Sequence, residues 1–184
     1  MHIRQLNVQY QPGQDRILTR INTSAGQEFR LWLTRRLCLG WLPALRKVNA
    51  AAVQRSLSQE ESGMAASDPQ VREMLGEFQR QRQLDAADFN TPFVEAAPGL
   101  PVEELLVSEL SMTPQPDGPT QLKFAAPLPG STQKRELQAQ MDGRMLAGFL
   151  HLLENAFQAA QWGEASDTQS LPAATAAERP TYLN

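Results

Sequence analysis

One pattern occurs twice in this chain, and it limits the possible folds more than any other feature. Residues 29–45, FRLWLTRRLCLGWLPAL, alternate apolar and polar side chains up to Thr34 and then change to helical spacing; residues 137–153, LQAQMDGRMLAGFLHLL, do the same around Asp142. A change of period from two to about 3.6 marks a strand that feeds directly into a capped helix. Setting Thr34 on Asp142 aligns Glu28 with Glu136, Phe29 with Leu137, Leu33 with Met141 and Arg36 with Arg144. The match continues with Gly40 on Gly148, Trp41 on Phe149 and Leu45 on Leu153.

The text before each corner also matches in kind. Leu6, Val8 and Tyr10 recur at period two, QPGQD supplies turn chemistry, and Ile17, Thr19 and Ile21 alternate again before SAG breaks the run. Later, LLVSELSMT, PQPDGP, TQLKFAA, PLPGST and KRELQAQM repeat the order strand, turn, strand, break, strand. The expected fold class is therefore α+β. It comprises two similar βββα units, each an antiparallel meander followed by a helix, over residues 1–55 and 105–163, with the two helices packed together. The stripes of these helices are Leu37, Trp41, Leu45, Val48 and Ala52 in the first, and Leu146, Phe149, Leu150, Leu153, Phe157 and Ala160 in the second. Pro43 should kink the first helix or divide it near Trp41 and Leu42. A glycine beside the bulkiest residue of each stripe suggests that the helices cross at Gly40 and Gly148; the alternative is that each glycine makes room for a neighbouring side chain.

Residues 56–104 read as a helical and extended insertion. Asp68 is the expected cap, Pro69 the first helical residue, and Val71, Met74, Leu75 and Phe78 the buried stripe. Residues 85–104 hold three prolines and the anchors Phe89, Phe93 and Val94, which fits an extended connector pinned to a surface. Residues 164–184 are rich in Ala, Ser, Thr and Pro and are expected to form a disordered tail.

Charge divides unevenly. Residues 1–50 hold eight of the 17 basic residues and two of the 20 acidic ones, a balance of +6, which leaves −9 for the remainder. Such asymmetry marks either a basic binding face or an Arg-rich unit packed beside an acidic one. If Phe29, Leu31 and Leu33 face the helix, Arg30 and Trp32 face outward, and Arg20 with Arg16 or Arg4 joins them from neighbouring strands. Arginines interleaved with an aromatic on an open sheet are suited to single-stranded nucleic acid, through phosphate charge and base stacking. The overall acidity, with pI near 5.4, favours a covered Trp32 or a protein contact instead, with Phe78, Phe89 or Phe93 as possible covers. The equivalent second-unit positions, Gln138 and Gln140, carry neither charge nor ring.

Catalytic signals are weak. There is no Gly-rich phosphate loop, HExxH, CxxC or GxSxG. Cys38 is the single cysteine, and with two histidines it gives little from which to build a metal site. His151 has Glu154 one turn away, a pair without a nucleophile. The adjacent pairs Glu60/Glu61 and Glu103/Glu104 read as solvated surface. The sequence therefore points away from an enzyme and implies no cofactor or metal. It points to a protein partner, a second copy of the chain or, as the alternative, nucleic acid. The N-terminus lacks a continuous apolar run and no stretch reaches spanning length, so the expected setting is cytoplasmic with no membrane association.

The order of elements resembles the architecture of Pur-type and Whirly-type single-strand binders. That likeness concerns architecture alone, without shared sequence motifs.

Overall fold

Alternation along the first 34 residues builds an antiparallel meander of β1 (Ile3–Gln11), β2 (Arg16–Thr23) and β3 (Glu28–Thr34). Ile17, Ile21, Leu31 and Leu33 are fully buried on one face, which also carries Leu6, Val8 and Tyr10 by register. The computed structural model describes residues 1–60, 69–89, 91–95, 102–115, 118–128 and 130–163. The tail read at 164–184, Glu61 and the expected cap Asp68 lie outside them.

Thr34 accepts a hydrogen bond from the Leu37 N–H at 3.3 Å and so caps α1 (Arg35–Glu60). The helix runs unbroken through Pro43, which is exposed; no division occurs near Trp41. A second meander, β5 (Glu109–Pro114), β6 (Thr120–Pro127) and β7 (Lys134–Met141), leads into α3 (Gly143–Ala159). Asp142 caps α3 by accepting from the Met145 N–H at 2.8 Å. The described residues thus form a mixed α+β molecule with one four-stranded sheet, one three-stranded sheet and three helices.

Both sheets and both long helices share one apolar core, in which Leu122, Phe124 and Met141 meet Leu45, Leu146 and Leu153. Helix α3 packs on β1 as well as on its own β7, and α1 packs on β5 as well as on β3. The helices meet through Trp41 and Phe149, whose ring centroids lie 5.8 Å apart, and through Arg46 and Glu154 at 2.7 Å. The glycines beside these rings do not form the crossing. A Cβ on Gly40 would meet nothing within 4 Å, and one on Gly148 would meet Phe89 and Ala87, not α1. Large rings hold the helices apart at this point, which leaves Gly40 exposed and Gly148 buried beneath Phe89 and Ala87.

A fourth strand, β4 (Val102–Leu106), extends the first sheet parallel to β3. The stretch Leu105–Thr113, read as one strand, is two: Val107 donates to the Trp32 carbonyl and Ser108 to that of Ala125, so the chain changes sheets within two residues. A parallel neighbour must be reached by a long crossover, supplied here by α1, α2 (Pro69–Asp85) and the connector. Helix α2 begins at Pro69 as expected, but two residues of its apolar stripe, Met74 and Phe78, turn to solvent while Leu75 is half-buried. Met74 is 73% exposed and Phe78 62% exposed, while Gln79 is buried and Gln83 half-buried. No described helix is long and apolar enough to cross a membrane.

Candidate functional site

The outer face of the four-stranded sheet holds most of the residues singled out from sequence. Inward Phe29, Leu31 and Leu33 put Glu28, Arg30, Trp32 and Thr34 on the other side of β3. Register sets Arg20 opposite Arg30, Leu18 opposite Trp32 and Arg16 opposite Thr34. β4 contributes Glu104 beside Arg30 and Leu106 beside Trp32. Arg16, Arg20, Arg30 and Trp32 therefore share one face. Arg4 stands apart: the β1 register shifts between Ile3 and Gln5, and Arg4 lies in a cleft at the sheet edge.

Two of these arginines are bound within the chain. The Glu28 side chain is fully buried and its Oε1 accepts from Arg20 Nε at 3.2 Å and Arg30 Nε at 2.9 Å. Arg20 also reaches Glu95 at 3.1 Å, and Arg30 reaches Glu104 at 3.2 Å. The hydrogen bond that Arg30 donates to Glu28, backed by the one to Glu104, holds its guanidinium even more firmly protonated than usual. Two cations against Glu28, Glu95 and Glu104 give this cluster a net charge of −1. Trp32 is half-buried, with its Nε1 3.5 Å from Glu104, a long contact. Among the described residues Arg16 has no carboxylate partner.

The connector accounts for part of this closure. Residues 91–95 cross the sheet, with Gln5 donating to the Pro92 carbonyl at 3.2 Å and accepting from the Val94 N–H at 3.1 Å. One side-chain amide thus bonds the connector as a neighbouring peptide group would. Asn22 donates to the Val94 carbonyl, and the Arg20 guanidinium lies 4.4 Å from the Phe93 ring centroid. Of the expected anchors, Phe93 holds by its ring and Val94 by its backbone, while Phe89 packs 5.4 Å from the His151 ring. None of the proposed covers is seen over Trp32: Phe93 lies on Arg20, Phe89 on His151, and Phe78 is exposed.

The other reactive groups are equally committed. Burial pushes the Cys38 thiol up to about 12, so it stays protonated and un-nucleophilic at neutral pH. His151 Nε2 lies 3.1 Å from the Asn155 amide rather than against a carboxylate. Glu103 and Glu104 are not idle surface: they point to opposite faces of β4, Glu104 to Arg30 and Glu103 to Arg135 in a two-pronged pair at 2.6 and 2.9 Å. That pairing lowers the Glu103 carboxyl below its ordinary range. No group of three His, Cys, Asp or Glu side chains suited to a metal occurs among the described residues.

No protein family matches the chain, nor does any curated protein or solved structure. The likeness to Pur-type and Whirly-type proteins accordingly rests on element order alone.

Sequence reasoning found the arginines but not their partners. Glu28 was within reach, since it lies two residues before Arg30 and so shares its face; Glu95 and Glu104 come 75 and 74 residues away from the arginines they bind.

Proposed function

We propose that this is a non-enzymatic interaction or scaffold protein, assembled from two related βββα halves and working in the cytoplasm, whose partner surface is centred on α2. The observation that carries this reading is the orientation of that helix. Met74 and Phe78, one turn apart, are 73% and 62% exposed, whereas Gln79 is 8% exposed. A helix that turns two large apolar residues one turn apart to solvent while it buries an amide beside them presents one side of an interface. The single, buried, unpaired cysteine fits a reducing compartment. The equivalence of the halves is supported by the matching order of three strands, cap and helix, and by the way each long helix packs on the first strand of the other half.

Nucleic acid is the weaker reading, because Arg20 and Arg30 already hold three carboxylates between them. Phosphate binding needs cations that are free to exchange counterions.

The test is capture from the native host with the wild-type chain and with a Met74→Asp/Phe78→Asp variant, with size-exclusion chromatography to register self-association. A defined partner, or a second copy, that is retained by the wild type and lost by a variant of unchanged melting temperature supports the reading. An unchanged set of bound proteins in the variant, or a wild type that stays monomeric and retains nothing, contradicts it.

A further inference from the structure

A cleft of about 560 Å3 opens between the start of β1, the first half of α3 and residues 86–89, 91 and 93. That volume suits a small organic molecule. Leu6, Met145, Phe149 and Leu152 give it an apolar floor, and the Phe89 and Phe93 rings form the opposite wall. Gly148 belongs to this floor. A glycine inside a helix is destabilising relative to alanine. A Cβ at this position would stand 3.8 Å from the Phe89 ring, an ordinary contact, so packing does not demand the glycine. The missing methyl leaves a gap of about that size where Phe89 and Ala87 rest on α3, at one side of the cleft.

Two cations stand at the cleft, Arg4 and Arg144. Neither has a carboxylate partner among the described residues, in contrast with Arg20, Arg30, Arg46 and Arg135. Asp88 also lines the cleft, but its carboxylate is turned into its own loop, where it accepts from the Thr91 N–H at 3.0 Å and from the Thr91 hydroxyl. The Gln5 amide is held by the connector. Local stability does not explain either arginine. Arg144 is the second residue of α3, where the helix dipole opposes positive charge, and Arg4 sits at the register shift of β1, a device that re-aims a side chain. A bound anion would offset both.

We propose that this cleft binds a small organic oxyanion, a carboxylate or phosphate carried on an aromatic or branched aliphatic body. The body lies in the cleft against Leu6, Met145, Leu152 and the Phe93 ring, beside the point where Phe89 rests on α3, and the oxyanion meets Arg4 and Arg144, whose planar forks match carboxylate and phosphate oxygens. This site is separate from the α2 surface, so its failure would leave the interaction reading standing.

Calorimetry on the full chain with 3-phenylpropionate, phenyl phosphate and the neutral 3-phenylpropan-1-ol tests it, with amide shift mapping to locate the contact. Both anions are expected to bind and to shift residues 4–7, 86–93 and 144–152, while the alcohol does not bind at the same concentration. Arg4→Gln and Arg144→Gln, both at exposed positions, should each weaken the anions roughly tenfold with the melting temperature unchanged. The tighter of the two anions identifies the headgroup. Equal binding of the alcohol, affinities indifferent to both arginine changes, or no binding of either anion at millimolar concentration would overturn the proposal.

Discussion

Glu28 and Glu136 each lie six residues before the capping residue of the helix that follows their strand, and they do opposite things. Glu28 is fully buried and held by two guanidiniums; Glu136 keeps 42% of its side chain exposed and meets Lys123, itself 39% exposed. The faces around them differ accordingly. The first sheet gains a parallel strand, a connector laid across it and a chain of alternating charge, while the outer face of the second carries Gln121, Lys123, Gln138 and Gln140 with no covering segment among the described residues. The lesson is that β4 and residues 91–95 cover the first sheet and leave the second open, although Phe89 rests on α3 and Glu103 pairs with Arg135. Two arginines of the first sheet, Arg20 and Arg30, meet carboxylates that follow α2, Glu95 and Glu104, so part of the uneven charge along the chain resolves into pairing within it.

The largest effect should come from removing the buried carboxylate. Glu28→Ala leaves two guanidiniums without their shared partner and is expected to cost about 3–5 kcal/mol by denaturant unfolding, whereas Glu136→Ala should cost under about 1 kcal/mol. Similar losses at both positions would break the contrast.

Next is the point where the end of α3 is fastened to the first hairpin. Asp15, in the left-handed region at φ 47°, accepts from Tyr10 at 3.0 Å and from the buried Trp162 Nε1 at 2.9 Å. Asp15→Ala leaves the indole donor unpaired and should cost about 1–3 kcal/mol. The same bond raises the Tyr10 pKa above its ordinary value. Its contribution is therefore fully present below the unfolded tyrosine pKa and is lost as pH rises through the higher folded one; Asp15→Ala should return the phenol absorbance titration to lower pH.

The glycines give a smaller and opposite effect. Gly40→Ala adds a methyl where nothing lies within 4 Å and should raise stability by about 0.5–1 kcal/mol, measured as a higher melting temperature. Gly148→Ala adds its methyl under Phe89 and should gain less. Equal gains would mean that the connector does not rest on α3.

The smallest effect is at Glu103. Its carboxyl is lowered by Arg135, so its share of stability is present above the ordinary glutamate range and fades as pH falls through the lowered value. With Arg135 54% exposed, Glu103→Gln should flatten the acid limb of the stability curve only slightly.

How much of this was legible follows from the range of each interaction. The strands β1 to β3 and the helix α3 carry local signals: strict alternation in Ile17, Thr19 and Ile21, and an Asp142 cap followed by a stripe that is buried at Leu146, Phe149, Leu150 and Leu153. β4 carries none, because VEELL puts one glutamate on each face and pairs with a strand more than 70 residues earlier. The orientation of α2 was misread for a similar reason: its apolar stripe is real, but the core it meets accepts Gln79 and leaves Phe78 to solvent. The candidate face was visible as Arg20, Arg30 and Trp32, yet its electrostatic character depends on Glu95 and Glu104, which only the fold brings near.

The most direct test of this closed face is a titration with fluorescent single-stranded oligonucleotide at low and moderate salt, comparing the wild type with a Glu95→Gln/Glu104→Gln variant. With Arg20 and Arg30 held by their own carboxylates, the wild type should show neither binding nor tryptophan quenching, and the variant should gain weak binding that salt abolishes. Salt-dependent binding by the wild type, lost on Arg30→Gln, would contradict the account.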